Sequence, residues 1–202
     1  MVRRLLLLAV AGSMFATDEI RVPAPPRGAA EMKADGRIAP GEWGDAMVTV
    51  LPCGMLLAKQ AGELVWFAVV PDAEHATYAD VFLQDGSGTV HNLHASLQWG
   101  ERTVAGDQWT DSEPATRWGR PVNWGANRIE WASGGSEQPE VTRASFRPYA
   151  AHEFWVSRRS FPGQSWRVRI EIRDFAGKVP DAVIPAGSLR REAGGWAVWH
   201  LE

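Results

Sequence analysis

Cysteine is nearly absent from this chain of 202 residues, which contains only Cys53. A single cysteine excludes an internal disulfide and argues against a zinc site built on several thiolates. The C-x-x-C-H sequence that attaches a c-type haem covalently is also missing. We interpret Cys53 as a small packed residue rather than a nucleophile.

The chain also lacks an excess of charge of one sign. It has 21 Lys and Arg against 24 Asp and Glu, which gives a formal net charge of −3. No run of basic residues is present. Proteins that bind nucleic acids neutralise phosphates with clustered cations, so the composition argues against a nucleic-acid partner.

No apolar run is long enough for a membrane anchor, which needs about 20 residues. The run from Leu5 to Ala11 is much shorter, follows Arg3 and Arg4, and precedes Ala16. This arrangement is typical of an export signal with a cleavage site after Ala16. We therefore expect residues 1–16 to be a signal peptide and the mature protein to be secreted or periplasmic.

Tyrosine is scarce, with two residues, whereas tryptophan is abundant, with eleven. Tryptophan suits either a bulky core or a surface on which flat ligands stack. Trp109, Trp118 and Trp124 fall within Gly100–Gly125, a stretch with little periodicity. We predict one long Trp-rich loop there, which either forms a ligand platform or folds back over one open end of the domain.

The rest of the chain predicts strands and turns rather than helices. Leu64–Val70 is a continuous β-branched and aromatic run between Gly62 and Pro71, which is typical of a strand buried on both faces. Asp80–Leu83 is a shorter run of the same kind. Further strands are expected over residues 47–51, 55–59, 128–132, 141–147, 153–157 and 196–201.

Two segments alternate apolar and polar residues with a period of two. In His91–Gln98 the polar positions include His94, and in Trp166–Arg173 they include Glu171. Each segment is expected to lie in a sheet with one buried and one solvent-exposed face. Many short strands separated by turn signals favour an all-β fold, a single antiparallel β-sandwich.

The domain organisation follows from these patterns. We assign residues 33–202 to the β-sandwich. Residues 17–32 contain Pro23, Pro25 and Pro26 and show no periodicity, so we predict a linker or N-terminal extension there.

Four blocks of the sequence resemble family 9 carbohydrate-binding modules and their DOMON-like relatives. Ala34–Trp43 (ADGRIAPGEW) is similar to the opening of that family, and Leu64–Asp72 is similar to one of its strands. Ala79–Asp85 resembles its acidic strand, and Ala151–Val156 with Ser160–Phe161 resembles a later block. The blocks occur in the order of the family.

The resemblance implies a β-sandwich that binds a polysaccharide or oligosaccharide against aromatic side chains, without catalysis. It implies hydrogen-bonding roles for Asp80, His94 and Glu171, which match an acidic, a basic and an amide position of the family. Histidine here replaces arginine and glutamate replaces glutamine, so the sugar is not identified. The stacking candidates are Tyr78, just before the acidic strand, and Trp109 in the predicted loop.

The alternating strands support the same location independently of the resemblance. His94 and Glu171 lie on polar strand faces. Planar polar groups on such a face can hydrogen-bond to sugar hydroxyls, and an aromatic ring can pack on the C–H groups of the sugar. The alternative is that Arg167, Arg169, Glu171 and Arg173 form a solvated face with cross-strand ion pairs.

Other chemistries have weaker support. Some relatives bind structural calcium, for which Asp72 and Asp85 are the candidate ligands. Others bind haem b for electron transfer, and Met47 and Met55 on adjacent predicted strands, with His94 opposite, are candidate ligands. A glycosidase, or an accessory domain of a glycan-degrading system, remains an alternative, but nothing marks two carboxylates as facing each other across a cleft.

Overall fold

A computed structural model describes residues 19–24, 31–51, 54–72, 77–96, 99–105, 108–111, 123–127, 131–132, 145–146, 151–174 and 181–202. The predicted signal peptide (residues 1–16) and Cys53 lie outside these residues. Within the part of the chain that is described, no helix combines the length and apolarity needed to span a bilayer.

Strands make up nearly all of the regular structure. They are β1 (Glu19–Val22), β2 (Met47–Leu51), β3 (Gly54–Ala61), β4 (Leu64–Pro71), β5 (Thr77–Gln84), β6 (Val90–Ala95), β7 (Trp99–Ala105), β8 (Gln108–Asp111), β9 (Trp124–Ala126), β10 (Trp131–Ala132), β11 (Ser145–Phe146), β12 (His152–Ser157), β13 (Ser165–Asp174), β14 (Ala182–Ile184) and β15 (Ala197–Leu201). A single helical turn, α1 (Pro40–Trp43), begins at a proline, whose missing N–H is tolerated at that position. A 3-10 turn occupies Ala193–Gly195.

The strands form two sheets. The large sheet has the order β1-β15-β13-β5-β6-β7-β8, with β14 also paired to β13, and the small sheet has the order β2-β3-β4-β12-β9. Strands β10 and β11 pair separately. Apart from the parallel pair β1–β15, the strand pairs in the described residues are antiparallel.

The core lies between the two sheets and confirms the predicted all-β sandwich. Phe67 on β4 stacks on Phe154 on β12, with ring centroids 5.2 Å apart. Trp199 on β15 of the large sheet meets Phe67 edge to face, also at 5.2 Å. These large rings interdigitate between the sheets, where removing apolar area from water stabilises the fold.

The outer face of the small sheet is covered by the chain that precedes β2. Trp43 of α1 packs on Leu57 and Trp66 in a second apolar cluster, joined by Ile38 and Ala46. This cover explains why β4 is buried on both faces, as the run Leu64–Val70 predicts. The first and last of the four sequence blocks meet here, because the Glu153 carboxylate accepts hydrogen bonds from the start of the covering segment.

Two parts of the predicted organisation differ from the structure. Residues 100–125 are not one long loop: β7 and β8 occupy 99–105 and 108–111, and β9 begins at Trp124. Residues 17–32 are not only a linker, because β1 pairs in parallel with β15. β7 and β1 carry charged residues and lie at or near the sheet edge, so the apolar alternation that marks a half-buried strand is weak in both.

Candidate functional site

The three predicted hydrogen-bonding residues form one row across three neighbouring strands of the large sheet. Glu171 on β13 pairs with Asp80 on β5, and Asp80 pairs with His94 on β6. The next position of the row, on β7, is Gly100. All of them alternate with core residues, so their side chains belong to the outer face of the sheet. Residues far apart in the sequence are thus brought side by side.

Glu171 is the centre of an arginine cluster. Its Oε1 accepts a hydrogen bond from Arg169 and one of 2.7 Å from Arg190 Nε, and its Oε2 accepts bonds from Arg173 Nε at 3.0 Å and Arg190 Nη2 at 2.5 Å. Three guanidinium groups surround one carboxylate that is only 3% exposed. These charge-assisted bonds fix the arginines in place, and they occupy both oxygens of Glu171.

Part of the predicted solvent-exposed face is covered. Arg169 is 4% exposed; its Nε donates to the Ser188 carbonyl at 3.1 Å, and its guanidinium lies 5.1 Å from the centre of the Phe82 ring. Trp196 also packs on Phe82. Both the predicted exposed face and its alternative, a freely solvated row of ion pairs, are wrong for the middle of β13, because residues 188–196 lie over it.

Asp80 and His94 form the other side of the row, where His94 is partly exposed and Asp80 is nearly buried. Asp80 Oδ1 lies 2.8 Å from His94 Nδ1 and accepts a weaker bond from Asn92 Nδ2 at 3.3 Å. His94 Nε2 lies 2.8 Å from Ser96 Oγ. The side chain of His94 is 20% exposed and that of Asp80 is 12% exposed, so this end of the row is within reach of a ligand.

Tyr78 adjoins the row and links it to a cation. Its ring meets the His94 ring edge to face, with centroids 5.6 Å apart, and its backbone pairs with Arg173. Burial opposes the charge of Arg173, but the hydrogen bond with Tyr78 and the negative charge of Glu171 hold its pKa above the ordinary value. Arg173 is therefore a permanent cation beside an aromatic ring.

The other site candidates do not join this group. The backbone of Trp109 on β8 pairs with Val104 on β7, and β8 is separated from β5 by two strands; the Trp109 side chain lies outside the description. Asp72 follows β4 of the small sheet, whereas Asp85 follows β5 of the large sheet, a strand of eight residues that spans roughly 25 Å. The structure does not bring them together.

The predicted metal and haem ligands do not converge either. The Asp85 carboxylate accepts hydrogen bonds from the backbone of Ser87 and Thr89, which closes a turn. Met47 packs against the core, whereas Met55 pairs with Val50 and is 39% exposed on the opposite face of the small sheet. In the described residues, no group of three His, Cys, Asp or Glu side chains is arranged to hold a metal ion.

A second polar cluster is enclosed between the sheets. Glu101 on β7 accepts a hydrogen bond from Trp124 Nε1 at 3.0 Å and lies 2.9 Å from His91 Nδ1. His152 on β12 lies 2.6 Å from Thr77 Oγ1, and burial lowers the pKa of His152 to about 4. The Glu101–Trp124 and Thr77–His152 pairs connect the two sheets, whereas His91 and Glu101 lie on neighbouring strands of the large sheet.

Several members of the polar face were not singled out from the sequence. Arg173 and Ser96 have one signal in the sequence, the alternation of the two segments in which they occupy polar positions. Asn92 has the same signal. Arg190 has none, because it reaches Glu171 from an irregular segment that packs across the sheet.

Comparison with known proteins gives no family assignment: no family model matches this chain, and neither a curated protein nor a solved structure matches it. The resemblance to family 9 carbohydrate-binding modules therefore stays a prediction made from the four sequence blocks.

Proposed function

We propose that this protein binds a carbohydrate reversibly on the outer face of the large sheet, beside the row of Glu171, Asp80 and His94. The observation that supports this proposal is the register of β13, β5 and β6, which aligns the three residues side by side. A row of planar hydrogen-bonding groups next to an aromatic ring suits a ligand with many hydroxyl groups.

The residues of the row have different roles in this proposal. Glu171 and Asp80 are nearly buried and bonded to their neighbours, so they hold the site in shape. Tyr78, His94 and Arg173 are only half-buried and face the ligand. The predicted direct contact between Glu171 and the sugar thereby becomes an indirect one, through the guanidinium groups that Glu171 orients.

The chemistry of these three groups matches that of a sugar. Arg173 carries N–H groups that donate hydrogen bonds to hydroxyl oxygens, and the His94 ring, whose two nitrogens are held by Asp80 and Ser96, lies beside it. The Tyr78 ring presents an apolar surface to the C–H groups of a pyranose. The predicted export signal at residues 1–16 supports a glycan partner outside the cytoplasm, in the periplasm or beyond the cell.

Isothermal titration calorimetry on the purified protein tests this proposal. The ligands are a panel of defined oligosaccharides, each titrated with and without calcium. We expect one glycan class to bind, and Tyr78→Ala, His94→Ala and Arg173→Ala each to weaken binding roughly 5- to 150-fold, since each removes a contact worth about 1–3 kcal/mol.

The control for Arg173→Ala is Arg159→Ala. Arg159 is also an arginine with a carboxylate partner, Glu63, but its side chain is 79% exposed and lies outside the row. Its replacement is expected to leave the affinity unchanged. Absence of binding across the whole panel, with circular dichroism showing a folded protein, would contradict the proposal.

A further inference from the structure

A continuous line of hydrogen bonds joins Asp80, His94 and Ser96. Asp80 Oδ1 lies 2.8 Å from His94 Nδ1, and His94 Nε2 lies 2.8 Å from Ser96 Oγ. A carboxylate accepts hydrogen bonds, so the tautomer that suits this contact has Nδ1 as the donor to Asp80. Nε2 is then the acceptor, and the hydroxyl of Ser96 donates to it.

This order of groups is the one that activates a serine as a nucleophile. The imidazole takes the hydroxyl proton during attack, while the carboxylate holds the ring in the required tautomer and stabilises the imidazolium that forms. Such an arrangement occurs on unrelated folds and is recognised by the geometry of its members rather than by their order in the sequence. Here His94 and Ser96 are two residues apart.

The surroundings hold these three residues in place without sealing them. Asn92 donates to Asp80 at 3.3 Å, and Arg173 Nε lies 3.8 Å from the other oxygen of the same carboxylate. Ser96 directly follows the last residue of β6 and is half-buried. Part of the Ser96 residue is therefore exposed to solvent.

Tyr78 occupies the strand position next to Ser96. Ala95, which precedes Ser96, pairs with Ala79, which follows Tyr78, so Tyr78 and Ser96 occupy neighbouring positions. Tyr78 also shares a hydrogen bond with Arg173. A hydroxyl donor backed by a cation is the kind of group that stabilises the oxyanion of a tetrahedral intermediate.

We propose that Ser96 is the nucleophile of an acyl-transfer reaction and that its substrate is a carbohydrate carrying an ester-linked acyl group. The choice of substrate rests on the carbohydrate binding proposed above. His94 is the general base and then the general acid, and Asp80 is the positioning residue for His94. This activity goes beyond reversible binding at the same face.

The reaction consumes water and needs no other co-reactant. Ser96 Oγ forms a bond to the acyl carbon, and its proton passes to His94 Nε2. The bond from that carbon to the sugar oxygen breaks, and His94 returns the proton to the departing hydroxyl. Water then attacks the acyl carbon of the acyl-serine and gives a proton to His94. The bond from that carbon to Ser96 Oγ breaks, His94 returns the proton to Oγ, and the carboxylic acid is released.

Covalent labelling with phenylmethanesulfonyl fluoride tests the nucleophile directly. The Ser96 oxygen would bond to sulfur, fluoride would leave, and His94 would take the proton. We expect mass spectrometry of the intact protein to show one adduct and peptide mapping to place it on Ser96. Acetate release from an acetylated xylo-oligosaccharide is the second readout, expected to disappear in Ser96→Ala.

Matched variants separate catalysis from folding. Ser87→Ala is the control serine, because Ser87 donates directly to the Asp85 carboxylate at 2.6 Å with no histidine between them; labelling is expected to be unchanged. Asp80→Asn keeps the shape of the side chain and is expected to slow labelling by a factor on the order of 10³–10⁴. Asp80→Glu, which restores a carboxylate at this position, should recover part of the labelling rate that Asp80→Asn loses, and a merely structural role would not make the recovery depend on the charge.

The outcomes distinguish this inference from the proposed function. The labelling reagent needs no saccharide, so saccharide binding without an adduct on Ser96 overturns the inference alone. An adduct on Ser96 without any saccharide binding supports the nucleophile and overturns the carbohydrate as its substrate. An unlabelled, folded wild-type protein that releases no acetate overturns the inference as a whole.

Discussion

The outer faces of the two sheets each bury a glutamate, and the two carboxylates are satisfied in opposite ways. Glu153 on the small sheet is fully buried and accepts hydrogen bonds from neutral groups: the backbone N–H groups of Asp35 and Gly36 at 2.8 and 2.6 Å, and Trp43 Nε1 at 3.0 Å. Glu171 on the large sheet is almost as buried and is surrounded by three arginines. The carboxylate of Glu153 is thus stabilised by the dipoles of neutral N–H groups, whereas that of Glu171 is stabilised by positively charged guanidinium groups.

The chain segments that cover the two glutamates differ in the same way, because one is apolar and the other carries charge. The segment over Glu153 brings apolar side chains such as Trp43 and closes a second core cluster. The segment over Glu171 brings Arg190, whose side chain remains 45% exposed. A buried carboxylate is therefore not in itself a sign of a ligand site. What distinguishes the large sheet is that half-buried polar groups continue beyond the carboxylate to Tyr78 and His94.

The largest effect is expected from Glu171→Ala. Its removal leaves the nearly buried guanidinium of Arg169 without its carboxylate partner, which costs about 3–5 kcal/mol of unfolding free energy. Urea unfolding at neutral pH measures this loss. The control is Glu63→Ala, because the ion pair of Glu63 with Arg159 is exposed on both sides and is worth less than about 1 kcal/mol. Equal losses in the two variants would contradict the difference drawn between buried and exposed carboxylates.

The raised pKa of Glu153 predicts that the unfolding free energy depends on pH. Burial raises its pKa from 4.5 to about 7, against the three N–H donors that lower it. Below pH 4.5 the group is protonated in both the folded and the unfolded state. Between pH 4.5 and 7 the unfolded chain releases the proton and the folded protein keeps it, so stability falls as the pH rises, by roughly 3 kcal/mol.

The difference between wild type and Glu153→Gln isolates this contribution. Both proteins share every other titrating group, so unfolding free energies measured at several pH values from 4 to 8 are subtracted at each pH. We expect the advantage of wild type over the variant to shrink steadily up to about pH 7 and then to stay constant. A difference that does not change with pH would show that Glu153 titrates at its ordinary value in the folded protein.

Sequence patterns predicted which face of the strands carries the candidate site residues, but not how the strands bring those residues together. The alternation in Trp166–Arg173 places Glu171 on the face opposite the core, as the structure has it. Its alignment with Asp80 depends on the register between β5 and β13, which are far apart in the sequence, and periodicity within a strand does not contain that register. The cover over Arg169 could not be predicted because residues 188–196 are irregular and carry no periodic signal.

The fold itself was largely predictable where strands are apolar. β4 and β13 were identified because their residues follow the burial pattern of a strand. β7 was missed because Gly100 and Arg102 interrupt the apolar alternation near the edge of the sheet, where polar residues are tolerated. β1 was missed because it has only four residues and lies between prolines and charged groups; its pairing with β15 is a long-range contact that local propensity does not reveal.

The smallest effect is expected from Lys59→Met, on the same face as Glu153. The Lys59 ammonium is 2% exposed, bonds to Asp45 and donates to the Glu42 carbonyl at 2.6 Å. Replacing a buried cation by an apolar residue of similar volume is often neutral, whereas removing only its partner leaves the charge uncompensated. Asp45 is 34% exposed and is hydrated once Lys59 is gone.

The variants Lys59→Met and Asp45→Ala test whether the buried polar groups of the small sheet contribute to folding alone. We expect urea unfolding to show a change of less than about 1 kcal/mol for Lys59→Met and a larger loss for Asp45→Ala. If the buried polar groups of the small sheet serve folding alone, neither variant alters the affinity of the large sheet for its ligand. A weakened ligand affinity in Lys59→Met, at unchanged stability, would mean that the two outer faces are coupled through the core, and the division of roles between them would have to be abandoned.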